Sequence, residues 1–515
     1  MISISGTSTE TYSAESSVAR DLNSAAKKLQ IKDPTLWGEA AAAEAANRLN
    51  WIDLPVASRE LLPQLDALSA WARSNNLTNF ILCGMGGSSL APEVMAKSYG
   101  KTLTILDTTD PEQIMLAVPK NLKETLIIIG SKSGSTIETA SQKSFFEELF
   151  ISAGLDPTNH FVIVTDPDSP LDISARASKF RVINADPSVG GRFSALSAFG
   201  LVPAALLGID VSVLLDDADF ASQKFAEPNS PAIKLATLIF EQASQNFALI
   251  DSKSNVPGIG DWIEQLVAES TGKNQKGRLP IVLESASAPV GGSALSIGFA
   301  EGVSDINVVA SLGEHFILWE WVTALLCRAL EVDPFNQPNV TEAKERTGEL
   351  LNEWGRTGVP AMEPAYENSS LAIFTTLQCP NLSTVLAKFI DSSSEYFAIM
   401  AYLNRETDFE VTKARSALAA KTNRGVTFGW APRFLHSTGQ FHKGGQQSGS
   451  FLQITGESKE DLNIPGRDFT FQTLLMAQAL GDGQALASRS LPLLRIHLKN
   501  RKAGIAELLE AISKL

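Results

Sequence analysis

Two short segments of this chain carry the residue types that hold a phosphate group. The first is Gly84-Met85-Gly86-Gly87-Ser88-Ser89, set after an apolar run at 80–83 and before a helix-forming stretch with Pro92 in its first turn. A strand that feeds a glycine-rich turn and then a helix brings backbone N–H groups, and the partial positive charge of the helix N-terminus, to one anion. Alone, this loop admits three readings: a sugar-phosphate site, a dinucleotide site or a plain tight turn. Asp107, after the next apolar run, stands where a ribose-binding acid belongs, but Ser89 fills the position where the G-x-G-x-x-G pattern needs its last glycine. The second segment, Ser131-Lys132-Ser133-Gly134-Ser135-Thr136, follows the apolar run 125–130. Ser135 and Glu138 predict a capping box at a helix start, so the turn before it offers hydroxyls, free N–H groups and one lysine to a phosphate monoester. Hydroxyls that only cap the helix are the alternative. The Gly-Lys-Ser/Thr of a P-loop is absent. Two such loops after two strands of one sheet favour a sugar phosphate.

The elements that position these loops read as α/β. Apolar runs at 80–83, 103–106, 125–129, 161–164 and 181–183 alternate with helix-length segments, and a second set follows at 247–250, 280–283 and 308–311. Continuous apolar strands separated by helices predict parallel sheets covered on both faces. The predicted division is a helical segment at 1–74, α/β domains at 75–220 and 221–360, and a C-terminal α/β extension at 361–515 packing on the second domain, with strands at 397–402, 426–428 and 451–454. The net charge is −14, from 43 Lys+Arg against 57 Asp+Glu, which argues against nucleic-acid binding. The apolar stretch 316–330 contains Glu320 and Arg328 and is too short to span a bilayer. Three cysteines and an N-terminus without a basic-then-apolar signal predict a reduced, cytoplasmic chain with neither disulfide scaffold nor metal site.

The motifs together resemble the glucose-6-phosphate isomerase family. The two loops match its G-I-G-G-S-x-L-G-P and S-K-T-x-x-T-x-E-T patterns, the latter running on through Ile137-Glu138-Thr139. Val189-Gly190-Gly191-Arg192-Phe193-Ser194 is similar to V-G-G-R-[FY]-S, and 265–273 to Q-x-x-x-E-S-N-G-K. Gly313-Glu314-His315 resembles G-Q-H, and 337–344 resembles Q-x-G-V-E-x-x-K. Ala91, Thr271 and Asn339 depart from the pattern, and only 22 positions separate His315 from Gln337. From about 360 onward the chain resembles the isomerase half of bifunctional transaldolase/glucose-6-phosphate isomerase proteins, notably at 432–445. About 75 residues precede the first predicted sheet, against ~250 for a (β/α)8 barrel, so the expectation is an isomerase alone.

The resemblance implies two sugar-isomerase (SIS-type) domains and an aldose–ketose isomerase that needs no cofactor. Proton transfer between C2 and C1 needs one base, a stabiliser for the enediolate and an acid–base pair that opens the ring. Glu269, after the apolar stretch 262–268, is the implied base, and a partly dry carboxylate there gains basicity. Arg192 is implied to stabilise the enediolate, and His315 and Lys344 to open the ring. Gly87, Ser88, Ser131, Lys132, Ser133 and Thr136 are the phosphate-binding candidates. Gln265, one helical turn before Glu269, either positions substrate or lines the cleft, and Gln337 is a substrate neighbour. Asn339 with Glu342 predicts a cap for the Lys344 helix. Because relatives take the histidine from a partner subunit, a homodimer with shared sites is expected. His436, His442 and Lys443 form a basic cluster of open role, either reaching over the site or packing the third region. A non-catalytic sugar-phosphate sensor of the same fold is the competing reading.

Overall fold

Short β-branched runs, each followed by helix formers, build three separate sheets. The structure, a computed structural model, describes residues 2–302, 304–392 and 394–515. The first sheet has five parallel strands, placed across it as Thr104–Leu106, Asn79–Gly84, Thr125–Gly130, Phe161–Thr165 and Arg181–Asn184. In chain order that is 2-1-3-4-5. The connection after the first strand therefore packs on one face and that after the third strand on the other. Leu90, Val94 and Met95 of the helix Leu90–Ser98 join Leu82 and Ile128 in one apolar cluster. Phe146 and Phe150 of the helix Ile137–Ser152 join Ile81 and Ile127 in another. Each such buried phenylalanine stabilises the fold by about 1.5–3 kcal/mol. The crevice between the diverging first and third strands is where ligands bind in open parallel sheets.

The other two sheets repeat this winding. The second runs Ile306–Val309, Leu295–Gly298, Asn246–Ile250 and Leu279–Val282, all parallel, with Ser3–Ser5 added antiparallel at one edge. The third runs Leu493–Leu498, Gly449–Gly456, Tyr396–Tyr402 and Gly425–Trp430 in parallel, with Leu371–Phe374 and Tyr366–Glu367 antiparallel beyond. The strands Ser3–Ser5 and Leu295–Gly298 carry no apolar run long enough to stand out and lie outside the predicted runs, as do Leu371–Phe374 and Leu493–Leu498 of the third sheet. The expected strands at 397–402, 426–428 and 451–454 all lie in the third sheet.

The 361–515 region touches the first sheet as well as the second. The helices Pro338–Trp354 and Phe471–Ala487 pack together and place Leu350, Trp354, Phe471 and Leu474 on one face of the first sheet. Charge completes that seam. Arg433 pairs with Glu93 and lies 3.0 Å from Asp107, and Arg405 lies 3.6 Å from Glu93. Burial alone raises the Glu93 pKa, but Arg433, Arg405 and Lys97 hold it well below the usual carboxylate range. Arg501 sits in the crevice of the third sheet, donating to Asp408 at 3.0 Å, the Glu457 carbonyl at 2.8 Å and Asp110 of the first domain at 2.7 Å. No helix among the described residues is long and apolar enough to cross a membrane.

Candidate active site

A cleft of about 380 Å3 lies at the carboxyl ends of the first sheet's strands, over its crevice. Gly86, Gly87 and Ser88 reach it from the first loop, and Ser131, Lys132, Ser133 and Thr136 from the second. Arg192, from the turn Gly191–Phe193, and Gln265 and Glu269, from the helix Ile259–Thr271, face the same space. Gln337 and Lys344 complete the sequence-predicted members. Two glycines hold these parts at contact distance. A Cβ on Gly87 would lie 1.9 Å from the Gly191 carbonyl oxygen. Gly86 has φ +55°, and a Cβ there would lie 2.6 Å from Gln265 Nε2. A larger residue at Gly87 drives the first loop away from the Arg192 turn, and one at Gly86 must take a left-handed backbone and displace the Gln265 amide.

Glu269 and Arg192 form a buried pair. Arg192 Nη1 lies 2.9 Å from Glu269 Oε1 and donates to Gln337 Oε1 at 2.7 Å. Its Nε donates to Ser270 Oγ at 2.8 Å, and Nη2 to the carbonyls of Pro334 (2.5 Å) and Asn336 (3.2 Å). Five partners fix the plane of the guanidinium, so its charge is held in one place at the cleft. The second Glu269 oxygen accepts from Gln265 Nε2 at 3.2 Å, and Gln265 Nε2 also donates to the His436 carbonyl at 2.7 Å. Gln265 thus aims the carboxylate.

The second loop differs from its expected capping. Its helix begins at Ile137 with Thr136 as N-cap and no side-chain cap bond. The predicted Ser135–Glu138 box is absent because the Glu138 carboxylate turns inward to His436 and Gln478. Ser131 Oγ donates to Thr136 Oγ1 at 3.1 Å, and the Ser133 and Ser135 hydroxyls meet at 3.0 Å. Lys132 Nζ is held by Asp166 at 2.5 Å and the Pro187 carbonyl at 3.1 Å. Burial lowers its pKa, an effect Asp166 opposes. Lys132 therefore anchors the loop, while its neighbours' hydroxyls and N–H groups face the cleft.

The cap predicted for the Lys344 helix is also absent. That helix starts at Pro338, Asn339 N–H donates to Gln440 Oε1 at 3.0 Å, and Glu342 pairs with Arg489 (2.6 Å) and Arg346 (3.0 Å). Among the described residues, no hydrogen bond or ion pair engages the Lys344 amine, which stands exposed at the cleft mouth.

His315 is not in the cleft. It lies in the first turn of the helix Leu312–Leu330, which a Ser311/Glu314 capping box starts, and it is 0% exposed. Its ring packs against Phe299 at 5.4 Å, and neither nitrogen has a hydrogen-bond partner among the described residues. Burial pushes its pKa down to about 3, so it is a neutral core residue at physiological pH. His315 therefore lies in the core of its own chain, outside the cleft where the resemblance expects a ring-opening residue. The three basic residues of the third region part ways. His442 is buried between Tyr396, Phe434 and Phe451, and Lys443 is buried against Asp482 at 2.5 Å. His436 alone faces the cleft.

Asp107 is unavailable to a ribose, since Ser89 Oγ donates to it at 3.1 Å and Arg433 and Arg405 flank it. That removes the acid on which the dinucleotide reading stood. Sequence reasoning missed Arg48, Met85 and Asp166, which also line the cleft. Arg48 comes from the N-terminal segment, where no local motif marks it. No cluster of three or more His, Cys, Asp or Glu among the described residues is placed to hold a metal ion.

Residues 65–285 match the family model described as phosphoglucose isomerase, a span that holds the first four motifs. Among curated proteins, the glucose-6-phosphate isomerase of Citrifermentans bemidjiense is 33% identical over 243 residues, covering 42% of this chain and 46% of that protein. A glucose-6-phosphate isomerase of Thermus thermophilus is 32% identical over 244 residues, covering 45% of this chain and 58% of that protein. The chain spans about half the length of the curated relatives it matches. A crystal structure of a glucose-6-phosphate isomerase from Chlamydia trachomatis is similar with TM-score 0.53 at 19% identity, over 65% of this chain and 84% of that one, a likeness of fold. Over the matched span the resemblance to the glucose-6-phosphate isomerase family holds, and the parallel sheets flanked by helices agree with it.

Proposed function

We propose that this chain is a cofactor-free aldose–ketose isomerase that interconverts glucose 6-phosphate and fructose 6-phosphate. The observation that carries this reading is the position of the Glu269–Arg192 pair. It faces the same cleft as two hydroxyl-lined loops that flank the crevice of one parallel sheet. Ser88, Ser131, Ser133 and Thr136 with the loop N–H groups hold the phosphate, which fixes the register of the sugar. Glu269 takes the proton from C2 of the open-chain aldose and returns it to C1, and a single carboxylate reaches both adjacent carbons. Arg192 meets the charge that gathers on the enediolate oxygen. Lys344, at the mouth, carries positive charge toward the sugar hydroxyls. Hydrogen moves within one molecule, so the reaction is redox-neutral.

As parts of the same reading we take 75–220 and 221–360 as two sugar-isomerase units and place the chain in the cytoplasm, where its unpaired cysteines fit. The homodimer with shared sites rested on a histidine from the partner subunit, and His315 is buried in its own chain. A sensor of sugar phosphates has no need of a base aimed by Gln265 and paired with a fixed arginine. An assay coupled to fructose 6-phosphate formation from glucose 6-phosphate separates the two readings. Turnover by the wild-type chain, lost in Glu269→Gln with sugar-phosphate binding retained, is the expected result. Binding without turnover leaves the sensor.

A further inference from the structure

We propose that His436, oriented by Glu138, is the acid–base group that opens the sugar ring, the two being supplied within one chain by the third domain and the first. This rests on the isomerase reading and assigns the one role that reading leaves vacant. Ring opening of the pyranose breaks the C1–O5 bond. His436 Nδ1 takes the proton of the O1 hydroxyl, the C1–O1 carbonyl forms as the C1–O5 bond breaks, and the imidazolium returns that proton to O5, so atoms and electrons balance.

The charged and titratable groups around the cleft can be taken in turn. Arg48 is held by Glu44 and the Pro187 carbonyl, Lys132 and Asp166 hold each other, and Arg192 and Gln265 engage Glu269, the carbon base. Lys344, Glu138 and His436 remain. His436 Nε2 lies 2.9 Å from Glu138 Oε1, and the same oxygen accepts from Gln478 Nε2 at 2.8 Å. Burial would raise the Glu138 pKa, but His436 beside it, with its hydrogen bond and Lys344 beyond, holds the carboxyl below its usual range. An ionised Glu138 fixes the Nε2–H tautomer and leaves Nδ1, which has no hydrogen bond among the described residues, to exchange protons with substrate.

The chain positions this pair with care. The His436 carbonyl accepts from Gln265, whose amide also meets Glu269, so the carbon base and the imidazole hang from one hydrogen-bonded bridge. Gly86 admits His436: a Cβ there would lie 3.1 Å from the His436 carbonyl oxygen and 3.2 Å from its Cβ. Beside the pair a side chamber of about 240 Å3, walled by Ile137, Val340, Ala343 and Leu435, keeps one flank of the imidazole apolar.

Ring opening has its own readout, because an opened sugar recloses to either anomer. Exchange between the α and β anomers of glucose 6-phosphate, followed by two-dimensional exchange NMR, is measured beside coupled isomerisation. The wild-type chain is expected to accelerate both. Glu269→Gln is expected to lose isomerisation while anomer exchange persists. His436→Gln is expected to lose anomer exchange to the solution background and about 100-fold in isomerisation. Wild-type anomer exchange in a folded His436→Gln chain overturns the proposal. Should His436→Gln fail to fold, Glu138→Gln decides by the same criteria. Wild-type chain that accelerates neither process sinks the isomerase reading instead. Co-expression of Glu269→Gln and His436→Gln chains tests the single-chain supply: a site shared between subunits regains activity, and a site built within one chain regains none.

Discussion

The first and third sheets share one winding, yet their crevices are used in opposite ways. In the first, the loops after Asn79–Gly84 and Thr125–Gly130 spread apart and leave hydroxyls, N–H groups and Glu269 around open space. In the third, the corresponding space between the ends of Tyr396–Tyr402 and Gly449–Gly456 is stoppered by Arg501, with Asp408, the Glu457 carbonyl, Ser458 and Asp110 as its partners. The sheet provides a place where a ligand can sit. Whether one does is decided by the side chains in the turns, here Gly-Gly-Ser against a saturated arginine.

That contrast can be broken or sharpened by substitution. The largest effect belongs to the open crevice: Glu269→Gln should lower kcat by on the order of 10³-fold in the coupled assay. An effect below tenfold would move the base elsewhere. Next comes the stoppered crevice. Arg501→Met leaves Asp408 and Asp110 buried without their cation, which should destabilise by about 3–5 kcal/mol in urea melts. A smaller loss would mean water enters that crevice readily. Ser131→Ala removes one phosphate hydroxyl and should raise KM by about tenfold with kcat nearly unchanged.

The smallest effect on activity belongs to His315, in neither crevice. His315→Phe should retain turnover within about twofold, since its ring contacts only core. Its effect is on acid stability. The folded pKa of about 3 lies below the ordinary 6.5, so the unfolded chain binds the extra proton. Stability is therefore lost as pH falls from 6.5 toward 3, by up to about 1.4 kcal/mol per pH unit from this group, and His315→Phe should flatten that slope. Urea midpoints at pH 7 and pH 5 for both chains measure it.

Much of this was legible in the residues. Ile127-Ile128-Ile129 and Val162-Ile163-Val164 read as buried parallel strands because they are short, continuous and β-branched, and the two glycine- and serine-rich loops directly follow the strands Asn79–Gly84 and Thr125–Gly130. What failed was side-chain direction. Glu138 reads as a cap from its spacing to Ser135, yet a histidine 298 positions later competes for its carboxylate. His315 carries the motif position and His436 the environment, and only the packing of the third sheet on the first tells them apart. The strand Ser3–Ser5 is set by its antiparallel partner Ile306–Val309, a pairing with no local signal.

The arginine seam also has a bearing on synthesis at the ribosome. Glu93 precedes Arg433 by 340 positions and Asp110 precedes Arg501 by 391. At roughly 5–20 residues added per second, the N-terminal carboxylates wait on the order of tens of seconds for their counterions. The nascent N-terminal half lacks these ion pairs until then, and a stretch that leaves the exit tunnel much later supplies the clasp that shuts the molecule.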